Sequence, residues 1–174
     1  MAGERRIVEL GVGEVDLVAG LWKEMVGHHQ DAVGGRWPGR DPEAAWRFRR
    51  AQYVAWLESG EGRLFVVPGA RDEATPLAYA CLRIGAAPST FDLGERIGDL
   101  ESLSVTAAAR GQGIGTLLIE HCRSLLRAAG VTHWTVTAIA ANVDAVRLYE
   151  REGFEVLSHN MLGQVQGKRP GASL

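Results

Sequence analysis

The chain has few cysteines and no long uninterrupted run of apolar residues. Cys81 and Cys122 are the only cysteines among 174 residues, and each lies in an apolar segment far from the other. A disulfide framework or a cysteine metal site therefore has no support, and both thiols are expected to be buried. Arg5 and Arg6 near the start are not followed by a long apolar segment. We therefore expect no signal peptide, no membrane span and a cytoplasmic location.

A large excess of either charge is also missing. The formal net charge is -2, and 46% of the residues are hydrophobic. A protein that binds nucleic acid is expected to carry a strongly basic face, so the composition favours a small molecule or a peptide as partner. Length and apolar content fit a single domain over residues 1–174, with a frayed tail from about residue 164.

Hydrophobic periodicity divides the chain into short strands and four helices. A strand from Arg6 to Leu10 is followed by apolar residues at helical spacing as far as His29. Asp41, Pro42 and Glu43 provide an N-cap, a first-turn proline and an early acid, which predicts a second helix over Pro42–Glu58. Further strands are predicted at Arg63–Val67, Leu77–Ile84, Asp99–Val105 and Thr132–Ile139, with a closing strand from Phe154.

A glycine-rich turn precedes the third helix. In "ARGQGIGTLL", Gly111, Gly113 and Gly115 alternate directly ahead of an apolar helical pattern that ends near Gly130. A lone pair of glycines usually permits only a tight reversal of the chain. Three alternating glycines that open a long helix after Arg110 instead allow several backbone N–H groups to converge on one anion. The turn therefore predicts a phosphate-bearing ligand.

Two common nucleotide motifs do not fit this turn. A P-loop would end in glycine-lysine-serine or glycine-lysine-threonine, and that ending is absent from the turn. The dinucleotide fingerprint needs a third glycine where Thr116 stands.

Together with its flanking strand and helix, the turn resembles the acetyl-coenzyme A site of the GNAT superfamily of N-acetyltransferases. The family's loop, Arg/Gln-x-x-Gly-x-Gly/Ala, is matched by Arg110, Gly113 and Gly115, after a strand that ends Leu103-Ser104-Val105. About thirty residues later, "NVDAVRLYEREGFEV" is similar to a second family segment. Its matching residues are Asn142, Ala145, Tyr149, Glu150, Gly153 and Phe154. The resemblance covers most of the chain.

The resemblance implies an α/β (α+β) fold and acetyl-coenzyme A (acetyl-CoA) as cofactor. A mixed, mostly antiparallel sheet of six to seven strands would splay into a V between strands 4 and 5, flanked by about four helices. The pantetheine arm would lie in the V, against the backbone of Leu103 and Val105, and Asn142 would touch that arm or simply cap its helix. The remaining cofactor residues would be Arg110, Gly111, Gln112, Gly113, Ile114, Gly115, Thr116 and Tyr149.

The implied activity is acetyl transfer to a primary amine of a small molecule, peptide or protein. Deprotonating a lysine-like amine at pH 7 costs roughly 4–5 kcal/mol, so a base is useful. Glu101 and Asp99 alternate with Leu100 and can face the same side of the fourth strand. We expect Glu101 to be the base, with Asp99 or a water chain as alternatives. Alternatively, either acid is solvated or pairs with Arg83.

Tyr149 is the family residue expected to help the thiolate leave, because a phenol can donate a hydrogen bond without being ionised. The acceptor is expected to meet residues of the first two helices and of the loop before the fourth strand. We expect His29 to be structural and no metal site to be present. Arg47, Arg49 and Arg50 are expected to coat a solvated helix face. The acceptor residues predicted here are Trp22, His28, Trp37, Phe91 and Glu101.

Two other functions compete with this interpretation. A coenzyme A-binding sensor would share the fold without turnover, but the presence of Tyr149 and an acid on the fourth strand favours an enzyme. An acetyltransferase directed to aminoacyl-tRNA would want a strongly basic face, which the net charge of -2 does not favour. The sequence does not identify the acceptor, and we expect a homodimer.

Overall fold

The computed structural model describes residues 5–69 and 75–165, which form one mixed sheet with helices on both faces. The predicted tail from residue 166 onward and part of the predicted connection between the second and third strands lie outside the described residues. The strands are β1 Val8–Leu10, β2 Gly62–Val67, β3 Ala78–Ala86, β4 Arg96–Val105 and β5 Trp134–Val136. The helices are α1 Ala19–Ala32, α2 Pro42–Ser59, α3 Ile114–Ala128 and α4 Val143–Arg151, with short 3-10 helices at Val12–Val18 and Ala107–Ala109.

The sheet opens between β4 and β5. Its strands follow chain order, antiparallel from β1 to β4, whereas β5 runs parallel to β4. The pairing of β4 with β5 covers only Gly98–Leu100 on β4, although that strand continues to Val105. The residues Glu101–Val105 therefore face a gap, which confirms the predicted fold class and the V between the fourth and fifth strands.

The number of strands differs from the expectation. The described residues form five strands rather than six or seven, and the predicted closing strand from Phe154 is not formed. Val156 and Leu157 in that segment are exposed. An alternating pattern makes a strand only where a neighbour accepts its hydrogen bonds, and no described residue pairs with this segment.

Local capping explains where two helices begin. The Asp41 carboxylate accepts a hydrogen bond from the Ala44 N–H at 2.9 Å, ahead of Pro42 in the first turn of α2. The Asn142 side-chain oxygen accepts the Ala145 N–H at 3.2 Å and caps α4. The predicted boundaries of α2 are thereby confirmed to within one residue.

Two hydrophobic cores lie on opposite faces of the sheet. On β3, Ala80 and Leu82 pack toward α3, whereas Tyr79 and Cys81 pack toward α1 and α2. Cys81 and Cys122 are both buried and free, as expected. None of the helices in the described part of the chain has both the length and the apolar character that crossing a membrane requires.

A β-bulge interrupts β4 beside the gap. Cys81 pairs with Ser102, but the next residue, Leu82, pairs with Leu100, so Glu101 is an extra residue on β4. Glu101 and Ser102 consequently both reach side chains of α2, one through an ion pair and one through a hydrogen bond. Bulges commonly re-aim side chains in this way beside functional sites.

Candidate active site

A cavity of about 670 Å³ lies between the end of β4, the loop before α3, and α4. Its size is within the usual range for small-molecule sites. Its wall includes most of the cofactor and catalytic residues predicted from the sequence. These are Glu101, Leu103, Val105, Arg110, Gly111, Gly113, Ile114, Gly115, Thr116, Asn142 and Tyr149.

The three alternating glycines of the loop are favoured for different structural reasons. Gly111 and Gly113 have φ angles of +72° and +78°, in the left-handed region that side chains disfavour. Gly115 lies where α3 approaches α4, because a Cβ there would be 3.2 Å from the Leu148 side chain. Gln112 does not line the cavity, and its side-chain Nε2 donates to the Ala108 carbonyl at 3.0 Å.

The start of α3 suits an anion. The first helical hydrogen bond runs from the Leu117 N–H to the Gly113 carbonyl, so the amides of Ile114, Gly115 and Thr116 precede it. The dipole of a 15-residue helix adds positive potential at this end. The cavity residues present therefore fit a phosphate-bearing ligand.

Arg110 lies at the same end of the cavity and contacts both β4 and α1. Its Nε donates to the Val105 carbonyl at 3.2 Å, and its Nη2 is 3.9 Å from a carboxylate oxygen of Glu24 on α1. About half of each of these charged side chains is exposed, so the ion pair contributes little by itself.

Tyr149 is buried against the cavity with its hydroxyl unused. Its side chain packs edge-on to Phe154, with the ring centroids 5.8 Å apart, and the residue is 9% exposed. Burial raises the pKa of Tyr149 to about 12. Because of this raised pKa, the hydroxyl stays protonated near neutral pH. No residue in the described ranges hydrogen-bonds to it, so it is able to donate to a ligand.

Glu101 is paired with Arg49, which corrects the expectation for one of the helix α2 arginines. The guanidinium of Arg49 on α2 donates a hydrogen bond to the Glu101 carboxylate on β4. Of the three arginines, Arg47 and Arg50 lie on the exposed face of α2, where the Arg50 guanidinium donates to the Asp16 carboxylate at 2.8 Å. Helical periodicity missed Arg49 because its partner is an acid on a distant strand.

Asp99 lies behind Glu101 and does not line the cavity. The Thr135 hydroxyl on β5 donates to the Asp99 carboxylate at 3.3 Å. Burial, followed by the negative charge of Glu101, raises the pKa of Asp99 above its ordinary value. Arg83, its partner across the sheet, opposes this shift, although Arg83 makes its ion pair with Glu61 at 3.5 Å.

The predicted acceptor residues are dispersed. His28 lines the cavity and is exposed. Trp22 is 6% exposed and packs on Trp46 with the ring centroids 5.6 Å apart, so it belongs to the core. Trp37 lies partly buried in the connection between α1 and α2, and Phe91 is 51% exposed, and neither lines the cavity.

Several residues of the cavity wall were not predicted. His29 was expected to be structural, yet it lines the cavity beside Met25, four residues earlier on the same helix face. Burial, followed by the charge of His28, lowers the pKa of His29. Helical spacing from Trp22 through Met25 is a signal that could have indicated His29. The other wall residues that were not predicted from the sequence are Leu100, Ser102, Ser104, Ala109, Thr137, Ala138, Asp144, Ala145, Leu148 and Arg151.

Solved structures with this fold are numerous. The tetramutant of the BH1408 protein from Bacillus halodurans is 20% identical, covers 92% of this chain and 99% of its own, and gives a TM-score of 0.73. A GCN5-related N-acetyltransferase from Ralstonia eutropha JMP134 is also 20% identical, covers 94% and 100% of the two chains, and gives 0.73. These low identities support the fold alone.

A third structure contains the donor. A predicted acetyltransferase from Clostridium acetobutylicum, solved with acetyl-CoA, is 13% identical, covers 92% of this chain and 96% of its own, and gives a TM-score of 0.70. No curated protein matches the chain. The sequence model of the Acetyltransferase (GNAT) family matches residues 24–154, which is most of the chain. The chain therefore belongs to the GNAT family of acetyltransferases, whose members use acetyl-CoA as the acyl donor.

Proposed function

We propose that this protein is an N-acetyltransferase that transfers the acetyl group of acetyl-CoA to a primary amine of a small molecule, peptide or protein. The observation that carries the proposal is one shared cavity. The start of α3, Glu101 and Tyr149, whose hydroxyl bonds no described residue, all belong to its wall.

The donor would be held from both sides of the gap in the sheet. The amides of Ile114, Gly115 and Thr116 bind the pyrophosphate, with Arg110 beside them. The backbone of Leu103 and Val105, on the part of β4 that does not pair with β5, hydrogen-bonds the pantetheine arm. Because the side-chain oxygen of Asn142 already caps α4, its amide nitrogen is the group left for that arm.

The carboxylates on β4 take the proton from the acceptor. When bound, acetyl-CoA supplies the acetyl group as an activated thioester. Glu101 faces the cavity and binds the ammonium, whose proton it accepts. The neighbouring Asp99, whose pKa is raised, is a second carboxylate that can hold that proton. The amine nitrogen then forms a bond to the acetyl carbon, and the bond from that carbon to sulfur breaks. The second proton that the nitrogen loses as it becomes an amide goes to the departing thiolate, which leaves as the thiol of coenzyme A.

Tyr149 assists the departing sulfur. With its pKa raised to about 12, the hydroxyl stays protonated through the neutral range and donates a hydrogen bond to the developing thiolate. The transition state gains from this bond more than the neutral thioester does, because the negative charge on sulfur develops during the reaction.

An amine panel with acetyl-CoA, followed by the release of free thiol, tests the proposal. We expect at least one primary amine to stimulate thiol release, and calorimetry to show acetyl-CoA binding. If acetyl-CoA binds and no amine stimulates release, the protein is a sensor and the enzymatic proposal fails. If acetyl-CoA does not bind, the assigned cavity is wrong as well.

A further inference from the structure

The face of the sheet that α2 covers carries two cations and two carboxylates, and one of these carboxylates is Glu101, the proposed base. Arg49 on α2 is paired with Glu101, and Arg83 on β3 stands opposite Asp99 on β4. These four groups are balanced in charge, and Arg83 is also paired with a third carboxylate, that of Glu61. It suits a polyamine poorly, because a second ammonium group on the acceptor would lie near one of the two arginines.

Aromatic rings fix the position of Arg49. Its guanidinium carbon lies 5.9 Å from the ring centroid of Trp22, 5.6 Å from that of Tyr53 and 5.7 Å from that of Trp56. Contacts at these distances are within the range of cation–π attraction. Arg49 is therefore a charged group placed in advance beside Glu101, and the contacts reduce the rotamer freedom that a ligand would otherwise have to restrict.

Much of the hydrogen-bonding capacity of Arg49 remains unused by the protein. Its Nη1 donates to Glu101, and no other acceptor in the described residues bonds the guanidinium. Arg49 does not itself line the cavity, but it bonds Glu101, which does, and about 25% of its side chain is exposed, so its remaining N–H groups are open to a ligand beside that wall. A guanidinium offers five donors in a planar fork that matches a carboxylate.

We propose that the acceptor is an amino carboxylic acid, bound with its ammonium at Glu101 and its carboxylate on Arg49. The proposal rests on the N-acetyltransferase function proposed above and names its substrate class. A carboxylate fits better than a phosphate dianion, because Glu101 and Asp99 lie alongside and repel a second negative charge. Arg49 holds the carboxylate while the amine reacts, and it is therefore a specificity residue.

The test compares each free L-amino acid with its own carboxamide as acceptor. The two differ only in the group that Arg49 is proposed to bind. The amine of the carboxamide is less basic and more easily deprotonated, so chemistry alone favours the carboxamide. The proteins are the wild type, Arg49→Gln, Arg49→Lys and a matched control, Arg47→Gln, which removes the same charge from the exposed face of α2.

We expect at least one free amino acid to exceed its carboxamide in kcat/KM by roughly 10- to 100-fold in the wild type and in Arg47→Gln. In Arg49→Gln this preference is lost, mainly through a higher KM for the free amino acid, while the KM for acetyl-CoA is unchanged. Arg49→Lys keeps the charge but not the fork, so it recovers only part of the preference.

Two results would overturn the proposal. One is a wild type that uses carboxamides or simple amines as well as free amino acids. The other is an Arg49→Gln variant that slows every acceptor equally, because Arg49 would then only support Glu101.

A binding measurement separates this proposal from the enzymatic one. Calorimetry is carried out with free amino acids and carboxamides on the protein saturated with coenzyme A. Binding of a free amino acid that depends on Arg49, without any turnover, contradicts the N-acetyltransferase function and supports the acceptor site. Absence of both turnover and Arg49-dependent binding contradicts the two proposals together.

Discussion

Two buried tyrosines of this protein use their hydroxyl groups in opposite ways. The Tyr53 hydroxyl is 2.6 Å from the Ser102 hydroxyl and 3.4 Å from that of Tyr79, inside the core beneath α2. The Tyr149 hydroxyl has no partner in the described residues and belongs to a side chain that lines the cavity. Burial raises the pKa of both, but only the second remains available to a ligand.

The first prediction is that Tyr149→Phe lowers kcat by roughly 100-fold or more, in the range typical of a lost proton donor. Because that hydroxyl bonds no group among the described residues, its removal leaves none of them unsatisfied, and the melting temperature should stay nearly unchanged. Steady-state kinetics and thermal unfolding measure the two effects. An unchanged kcat would remove Tyr149 from the chemistry.

Tyr53→Phe is the matched control for this substitution. It also removes a buried phenolic hydroxyl, but one that bonds Ser102, so it should cost about 1 kcal/mol of the free energy of unfolding. We expect its kcat to change much less than that of Tyr149→Phe. The opposite pattern would mean that the core network, and not the cavity tyrosine, governs turnover.

The second prediction concerns Asp99 and the pH dependence of stability. Burial and the charge of Glu101 raise the pKa of Asp99 in the folded protein, so folding is favoured while Asp99 is protonated. That contribution is lost as the pH rises through the unfolded and then the folded pKa. Relative to wild type, Asp99→Asn should therefore gain free energy of unfolding as the pH rises from about 3 to 7.

Urea unfolding across this pH range measures the difference. Asp16→Asn is the control of opposite sign, because the hydrogen bond from Arg50 lowers the pKa of Asp16. That variant should lose stability relative to wild type as the pH rises, and only slightly because the pair is exposed. Parallel curves for Asp99→Asn and the wild type would contradict the assigned environment of Asp99.

What the sequence could reveal about single residues depended on whether their partners are local. Asn142 and Asp41 cap the helices that follow them within three residues, and both caps were predictable from spacing alone. The pairing of Arg49 with Glu101 joins residues that are far apart in sequence. It also depends on the bulge that Glu101 forms in β4, and neither is encoded in a local period.

The loop and the first turn of α3 form one element, and Gly113 sets its geometry. Gly113 is the N-cap of α3 with φ +78°, and a Cβ there would meet no atom within 4 Å. The constraint is therefore one of backbone conformation and not of space.

The third prediction is that Gly113→Ala costs about 1–2 kcal/mol of stability and weakens acetyl-CoA binding, because the left-handed conformation is strained for alanine. Chemical unfolding and calorimetry measure the two losses. Gly20→Ala in α1 is the matched control, since a Cβ there also meets nothing within 4 Å and no left-handed angle is required. That variant should be neutral or stabilised by up to about 1 kcal/mol. Equal behaviour of the two variants would contradict the role given to Gly113.

Predictability also differed among the strands and helices. Helices α2 and α3 combine a clear apolar face with capping residues, and their limits follow from the sequence. The segment from Phe154 is rich in residues that favour strands but has no strand partner in the described residues, and β5 is limited to Trp134–Val136. A strand depends on its neighbour, so local patterns overestimate the strands at the edge of this sheet.

The whole domain has a seam along the gap between β4 and β5. On one side of the seam, α4 is held to α3 through Glu152, the residue that follows its last turn. The Thr116 hydroxyl donates to the Glu152 carboxylate at 2.7 Å, and the Arg123 guanidinium donates to the Glu152 carbonyl at 2.6 Å. On the other side, β4 belongs to the antiparallel sheet, and only Gly98–Leu100 join it to β5. Because α3 already packs on β3 and β4, a ligand that contacts the end of β4, the start of α3 and α4 adds contacts across the gap between β4 and α4.

The fourth prediction follows from this seam. At about 100 times its dissociation constant, acetyl-CoA should stabilise the protein by roughly 2.7 kcal/mol, since it binds only the folded state. For a chain of this size that corresponds to a rise in melting temperature of roughly 5–10 °C. Hydrogen exchange should slow at the amides of Ile114, Gly115 and Thr116 and in α4, but not on the exposed face of α2. Gly113→Ala at the same ligand concentration should show a smaller rise, because the loop amides no longer converge on the pyrophosphate. An equal rise in both proteins, or protection confined to α2, would place the donor somewhere other than this cavity.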